Sequence, residues 1–530
     1  MRNLQLPGRS PVHGVNGMVA TSQPLATMAG LEMLWRGGNA VDAAIAASAV
    51  LAVVQPTSTG LGGDCFAFYA PANGKIVAYN GSGRAPAAAT PEWYIGRGIR
   101  QIDRPSAHAV TVPGAVDAWA RLIQDFGSRA LDEVLQPAIR AARDGYPVHS
   151  RMARDWAKRT EILRRDPVAT RNYLIDGKAP DVGAIHRLPD LARTLDAIAR
   201  DGRDAFYKGW IAEDLVSHLK SVGGLHTLDD FATATGEYVT PITTDYRGYK
   251  VHECPPNSQG IVALEMLNIL SGFPTPAGGP LSIERMHLLI EAAWLAYADR
   301  DRYVCDPRMS SVPVDRLLSA EHAAELRGRI RPERAMHASP SRLPPHKDTI
   351  YLTVVDRDGN AISFINSLYE SFGSGLCGPK SGVLLQNRGC GFVVDPTHPN
   401  CIGPGKRPMH TIIPALLSQN DRAVMPFGVL GGHYQATGHA FLLGSILDYG
   451  LDLQEAIDLG RVYPTQLEKN QVEVEDGVPP ETVAGLKALG HNIVPAPDPV
   501  GGAQAIWIDW KTGVLTAGSD PRYDGCAMGY

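Results

Sequence analysis

From Lys347 to Gly375 the chain reads K-D-T-I-Y-L-T-V-V-D-R-D-G-N-A-I-S-F-I-N-S-L-Y-E-S-F-G-S-G. Two runs rich in β-branched residues, Thr349 to Val355 and Asn360 to Leu368, flank Asp358-Gly359. That is the composition of a tight antiparallel hairpin, because glycine tolerates the positive φ that such turns require. The spacing predicts that Thr349 opens the first strand and that Ser367 lies on the second. Upstream, Ser339 to His346, S-P-S-R-L-P-P-H, reads as a proline-rich exposed loop.

Downstream, a strand is predicted at Ser381 to Gln386, a proline-rich loop from Asp395 to Pro408, and strands near Thr411 and Met425. Helices follow at Tyr434 to Tyr449 and Leu453 to Leu459, and Val472 to Val474, Thr482 to Leu489 and Ala503 to Asp509 read as strand, helix and strand. At the other end, Pro24 to Trp35 has near-helical apolar spacing stopped by Gly37-Gly38, and Asn39 caps an alanine-rich helix through Val54. A helix so apolar should be buried. The glycine-rich turn from Gln55 feeds a strand ending at Tyr69, with Lys75 to Tyr79 as its hairpin partner. Residues 115–330 read mainly as helices, interrupted by alternating strand-like residues from Tyr238 to Val251. Strands at both ends around a helical middle suggest helices layered on antiparallel sheets.

The composition excludes several classes. Of 530 residues 44% are hydrophobic and 20% charged, which is ordinary for a globular protein with a sizeable core. A net charge of -5 without a long basic run leaves no electrostatic footprint for nucleic acid, so a small molecule or peptide is the default substrate. The N-terminus has no apolar signal-peptide core. Leu31 to Val54 is broken by Arg36-Gly37-Gly38-Asn39 and carries Asp42, so no membrane span is expected and the reading is a cytoplasmic protein. Seven scattered cysteines form no C-x-x-C pair and read as buried reduced thiols, so no metal is expected. Gly373-Ser-Gly-Leu-Cys-Gly378 satisfies a dinucleotide-binding pattern, but Pro379 follows and no helix opens there.

Thr349 with Thr353-Val-Val-Asp356, Phe372-Gly-Ser-Gly375, Gly405-Lys-Arg-Pro408 and the early Gly60-Leu-Gly-Gly-Asp64 passage resembles the γ-glutamyltranspeptidase family along nearly the whole chain. The resemblance implies an α+β fold, a four-layer αββα sandwich of the N-terminal-nucleophile hydrolase type. It also implies self-cleavage between Asp348 and Thr349 into segments 1–348 and 349–530, which together form one folded unit. Thr349 would then attack an amide, its own α-amine serving as base. Such an amine has a pKa of about 7.7–8.0, so much of it is free near neutral pH. By the same resemblance Ser367 stands where a second threonine hydrogen-bonds the nucleophile, and Gly431-Gly432 would form the oxyanion hole. No cofactor is implied. The oligomeric state stays open, a dimer of the processed pair being one arrangement.

The glutamyl-binding positions depart from the family. Its carboxylate-gripping arginine falls on Ser82, with Arg84 two residues on; in extended chain that shift moves the origin by roughly 6.5–7 Å on one face. An asparagine is replaced by Tyr369, the ammonium-binding acid by Gly391, a Gln or Glu by Arg388, and a serine pair by Met409-His410. A site built for an ammonium has become positive, and arginine forks suit a carboxylate. The expected substrate is a small carboxylate-bearing amide without an α-amino group, with Arg84, Tyr369, Arg388 and His410 as substrate-binding candidates. The sequence most resembles the oxamate amidohydrolase branch of the family, which implies an oxamate-like substrate. The alternatives are a γ-glutamyl hydrolase or transferase, a β-lactam side-chain acylase, and an unprocessed non-catalytic binding protein.

Overall fold

The computed structural model describes residues 8–336, 349–466 and 469–530. The hairpin forms with strands Leu352–Asp356 and Ala361–Ser367, paired antiparallel with Leu352 opposite Phe364. The first strand therefore starts later than the composition predicts. The hairpin ladder stops at the Leu352–Phe364 pair, while Ala361–Ser367 pairs along its whole length with Asp64–Ala70 on its other side.

The hairpin sits at the centre of a seven-stranded sheet. Its order is Cys526–Gly529, Gly17–Thr21, Leu352–Asp356, Ala361–Ser367, Asp64–Ala70, Val77–Gly81, Glu237–Val239. A second seven-stranded sheet runs Val12–Gly14, Leu515–Ser519, Gly502–Ile508, Arg422–Leu430, Ala415–Gln419, Tyr249–Glu253, Ile242–Tyr246. Every pairing within both is antiparallel.

Because successive side chains of a strand point to opposite faces, the hairpin serves two cores. Leu352, Val354, Ile362 and Phe364 join the core shared with helices Pro24–Trp35, Ala40–Val54 and Leu131–Asp144. Tyr351 and Ile365 instead meet Phe66, Phe68, Ile412 and Leu430 between the sheets. Burying one such aliphatic or aromatic side chain contributes about 1.5–3 kcal/mol. Helix Ala40–Val54 is buried at every residue, and its alanines admit both the neighbouring helices and the sheet at close range. Asn39 and Asp42 close its N-terminus with a capping box. Helices Gly260–Ser271, Ile283–Tyr303 and Tyr434–Leu447 cover the second sheet. The result is the expected α+β fold, a four-layer αββα sandwich.

Ser381 to Gln386, predicted as a strand, makes only isolated bridges, Cys377 with Leu384 and Gly62 with Leu385. It is packed against two loops and has no regular ladder to join. All seven cysteines are free, six of them buried. The proline-rich loop predicted from Ser339 to His346 lies outside the described residues.

Gly62 and Gly63 set the passage between the strand beginning at Asp64 and the hairpin end. A Cβ on Gly62 would stand 2.0 Å from Leu384 O, and one on Gly63 2.3 Å from Ser367 O. Gly62→Ala is therefore expected to lower stability by about 1–3 kcal/mol, read as a shift in the denaturant midpoint. An unchanged midpoint would show that this backbone yields without cost.

Candidate active site

Three strand ends bring the site together. Asp64 pairs directly with Ser367, and the hairpin register carried three residues towards its start sets Thr349 opposite Ser367. All three share the parity of Tyr351, Ile365 and Phe66, the face between the sheets. Thr349 is 1% exposed, and its Oγ1 has no hydrogen-bond partner among the described residues. Ser367 Oγ accepts the Tyr369 N–H at 3.0 Å. Beside it, Asn366 Nδ2 donates to Thr59 Oγ1 at 2.8 Å and to Gly60 O at 2.9 Å, tying the glycine turn to the hairpin. Asp348, the other half of the expected cleavage site, lies outside the described residues.

His410 does not stand alone. Ile412 donates its N–H to His410 Nδ1 at 3.3 Å, which leaves the ring proton on Nε2 to face Asp64 Oδ2 at 3.0 Å. Asp64 Oδ1 accepts from Gln386 Nε2 at 2.7 Å and from Gly83 N–H at 2.9 Å. Both residues are fully buried, and the His410 ring lies 4.9 Å from that of Phe66.

Burial raises the Asp64 carboxyl from 3.8 to about 6, against the opposing pull of Gln386, Arg388 and the backbone donors. A folded-state value above the unfolded one means that the native chain holds a proton the unfolded chain releases. Through this group, stability falls by up to about 3 kcal/mol as pH rises from about 4 to about 6. Asp64→Asn is expected to shrink the difference in unfolding free energy between about pH 4 and pH 7, measured by denaturation at each pH. The same difference in variant and wild type would refute this.

Arg388 is the most unusual residue here. It is 1% exposed, its guanidinium carbon lies 3.7 Å from the centre of the Tyr369 ring, and Nη1 donates to Thr411 Oγ1 at 3.1 Å. Its Nε and Nη2 have no hydrogen-bond partner among the described residues. Burial pulls its pKa down to about 10, so the charge persists at neutral pH. Tyr369 holds a left-handed φ of 81°, a conformation costing about 1–3 kcal/mol that persists only where neighbours impose it. Its N–H bond to Ser367 and the arginine across its ring are two such constraints.

Arg84 is half-buried, with Nη1 unpartnered and enclosed. Ser82 is held on three sides: its N–H reaches Asn80 Oδ1 at 3.0 Å, its Oγ accepts Asn257 Nδ2 at 3.1 Å, and its carbonyl accepts Arg407 Nε at 3.1 Å. Gly431 and Gly432 have φ of 131° and 59° and precede helix Tyr434–Leu447. Neither N–H is engaged in a turn or loop hydrogen bond among the described residues. Two adjacent free donors can stabilise a developing oxyanion.

Gln259 joins these parts. Its Nε2 donates to Gly432 O at 3.0 Å and to Thr411 O at 2.8 Å, while its Oε1 accepts from buried Arg300 at 3.1 Å. The glycine turn and the Arg388 partner thus hang on one amide. Gln259, Thr411, Gln386 and Arg300 carry no catalytic motif; Gln259 lies in Pro255-Pro-Asn-Ser-Gln-Gly260, whose composition is that of a turn. Elsewhere, His287, Glu291 and His491 have ligand atoms within 4.8 Å of one another. There His287 Nε2 faces Arg331 O at 2.8 Å and Nδ1 faces His491 at 2.8 Å, so hydrogen bonds already engage both His287 nitrogens.

A four-layer αββα sandwich built on two antiparallel sheets places the molecule among hydrolases of the N-terminal-nucleophile type. A cephalosporin acylase from Bacillus halodurans superposes with a TM-score of 0.93 at 42% identity, covering 100% of this chain and 99% of that one. A glutathione hydrolase-like proenzyme of Bacillus subtilis is 40% identical over 98% of this chain and 99% of its own length. An oxamate amidohydrolase proenzyme of Klebsiella pneumoniae is 36% identical over 97% of this chain and 98% of its own. The family model for gamma-glutamyltranspeptidase matches residues 26–530, and the chain belongs to that family. It is an enzyme of the family's amide-hydrolysing type. Among the described residues, no helix is long and apolar enough to cross a membrane.

Proposed function

We propose that the chain cuts itself before Thr349 and then hydrolyses a small amide bearing a carboxylate, with oxamate as the model substrate. The observation that carries the substrate is Arg388, a buried guanidinium with two unused donors. Such a charge is costly until an anion pairs with it, and a carboxylate accepts a fork of N–H groups. Arg84 adds a further donor, and Tyr369 supports the guanidinium face.

In this mechanism the Thr349 α-amine takes the Oγ proton as Oγ forms a bond to the amide carbonyl carbon. The Gly431 and Gly432 N–H groups hold the oxyanion, and Ser367, which the hairpin register sets opposite Thr349, is positioned to hydrogen-bond the threonine once the chain is cut. Collapse breaks the C–N bond, the amine leaves with the proton held by the α-amine, and an ester on Thr349 remains. Water then attacks that ester with the same amine as base, releasing the acid and restoring the threonine. Self-cleavage leaves both sheets paired, because each of them contains strands from before residue 337 and strands from after residue 348.

A γ-glutamyl substrate would bring an α-ammonium to this positive pocket. The neighbouring carboxylate of Asp64 already accepts from Gln386, Gly83 and His410, which leaves it less free to pair with an ammonium. The named relatives differ in activity at comparable identity, so the pocket and not overall likeness selects among them. A screen of oxamate, a γ-glutamyl anilide and a simple acetyl amide tests the reading. Oxamate is expected to be turned over fastest, and faster turnover of the γ-glutamyl anilide overturns the proposal.

A further inference from the structure

A cleft of about 520 Å³ opens beside the site. One wall is the segment 151–165, another the loop 497–499, and its inner end is formed by Glu370 and Asn387. These two follow Tyr369 and precede Arg388 in the chain. They clamp each other, Glu370 N–H donating to Asn387 Oδ1 at 3.2 Å and Asn387 Nδ2 to Glu370 Oε2 at 3.0 Å. The cleft therefore ends on the backbone that presents the Tyr369–Arg388 stack.

Its charges are mostly matched. Arg104 pairs with Glu370, Arg151 with Asp155 at 2.6 Å, and Lys158 with Asp498. Arg159 and Arg165 line the same cleft, are exposed, and make no ion pair among the described residues. Glu473 lines the cleft too, so five basic side chains stand against four acidic ones, and one positive charge in excess in a concave surface focuses a positive potential.

We infer that this cleft receives the amine side of the scissile amide and favours leaving groups that carry a carboxylate. The inference rests on the reading that Arg388 holds the acyl-side carboxylate. Arg388 is fully enclosed, so the acyl end points inward and the amine end faces the opening. The cleft adjoins this backbone, and Arg159 and Arg165 are its basic groups outside ion pairs among the described residues. Oxamate itself, which releases ammonia, reaches none of them. A substrate extended by a carboxymethyl or similar group does.

The test uses the processed enzyme with oxamate, N-carboxymethyl oxamate and N-ethyl oxamate, which share one acyl group. N-carboxymethyl oxamate is expected to exceed N-ethyl oxamate about fivefold in kcat/KM, mainly through KM, as suits exposed charge pairs. The advantage should fade at about 1 M salt. The double variant Arg159→Ala/Arg165→Ala should lose it while oxamate turnover stays unchanged. Equal rates for the two extended amides, or a double variant that slows all three alike, overturn the inference. If none of the oxamates is turned over, the acyl-side reading fails. The comparison is then made with γ-glutamylglycine and γ-glutamyl ethylamide, where the same arginine-dependent advantage supports the cleft and its absence overturns it.

Discussion

Thr349→Ala is expected to yield one uncut chain of 530 residues with no measurable amide hydrolysis. In the proposed mechanism both processes need the same oxygen, which attacks first the preceding peptide and then the substrate. Without it no base or oxyanion donor has a nucleophile to assist, and the loss should be on the order of 10⁴-fold or more. The variant should still fold, because Thr349 Oγ1 makes no hydrogen bond among the described residues. Its unfolding free energy should stay within about 1 kcal/mol of wild type. Thr349→Ser keeps a hydroxyl and should both cut and turn over, more slowly. Intact-mass measurement with an amide assay reads both steps. A Thr349→Ala chain that is still cut between residues 348 and 349 would remove the threonine from its role.

Arg388→Gln should lower kcat/KM for oxamate about 100-fold or more, most of it in KM. A buried, hydrogen-bonded ion pair that loses one member typically costs about 2–5 kcal/mol of binding. Stability should move the other way or not at all. In the free enzyme Arg388 is enclosed with Nε and Nη2 unpartnered, and removing a poorly paired buried charge is often neutral or stabilising. Arg388→Lys should recover little, because a point charge does not reproduce the planar fork or the 3.7 Å stack on Tyr369. Oxamate turnover within about threefold of wild type in Arg388→Gln would move the carboxylate-binding role elsewhere.

The local sequence was a good guide wherever one element's pattern determines its own shape. Pro24–Trp35 and Ala40–Val54 formed as their periodicity and caps predict, and Asp358-Gly359 turned the hairpin. It failed at Ser381 to Gln386, where strand-like residues meet only loops, and at Thr349 to Tyr351, which form no ladder with the facing arm of the hairpin. Pairing is a property of two segments, and composition describes one.

The same division runs through the site. Thr349, Ser367, Gly431-Gly432 and the altered position Arg388 could all be picked out from the residues and their resemblance to a family. The Asp64–His410 bond joins positions 346 residues apart, and the Gln259 bonds to Thr411 and Gly432 span 152 and 173. No spacing rule reaches across such separations. Sequence by itself, with its family resemblance, determined the hairpin and the layered fold and singled out Thr349 as the candidate nucleophile, because these readings depend on residue type and short-range order. Only the tertiary structure decided that His410 is spent on Asp64 while Arg388 keeps two donors unpaired. That outcome depends on which buried groups meet, and burial makes the unpaired charge matter.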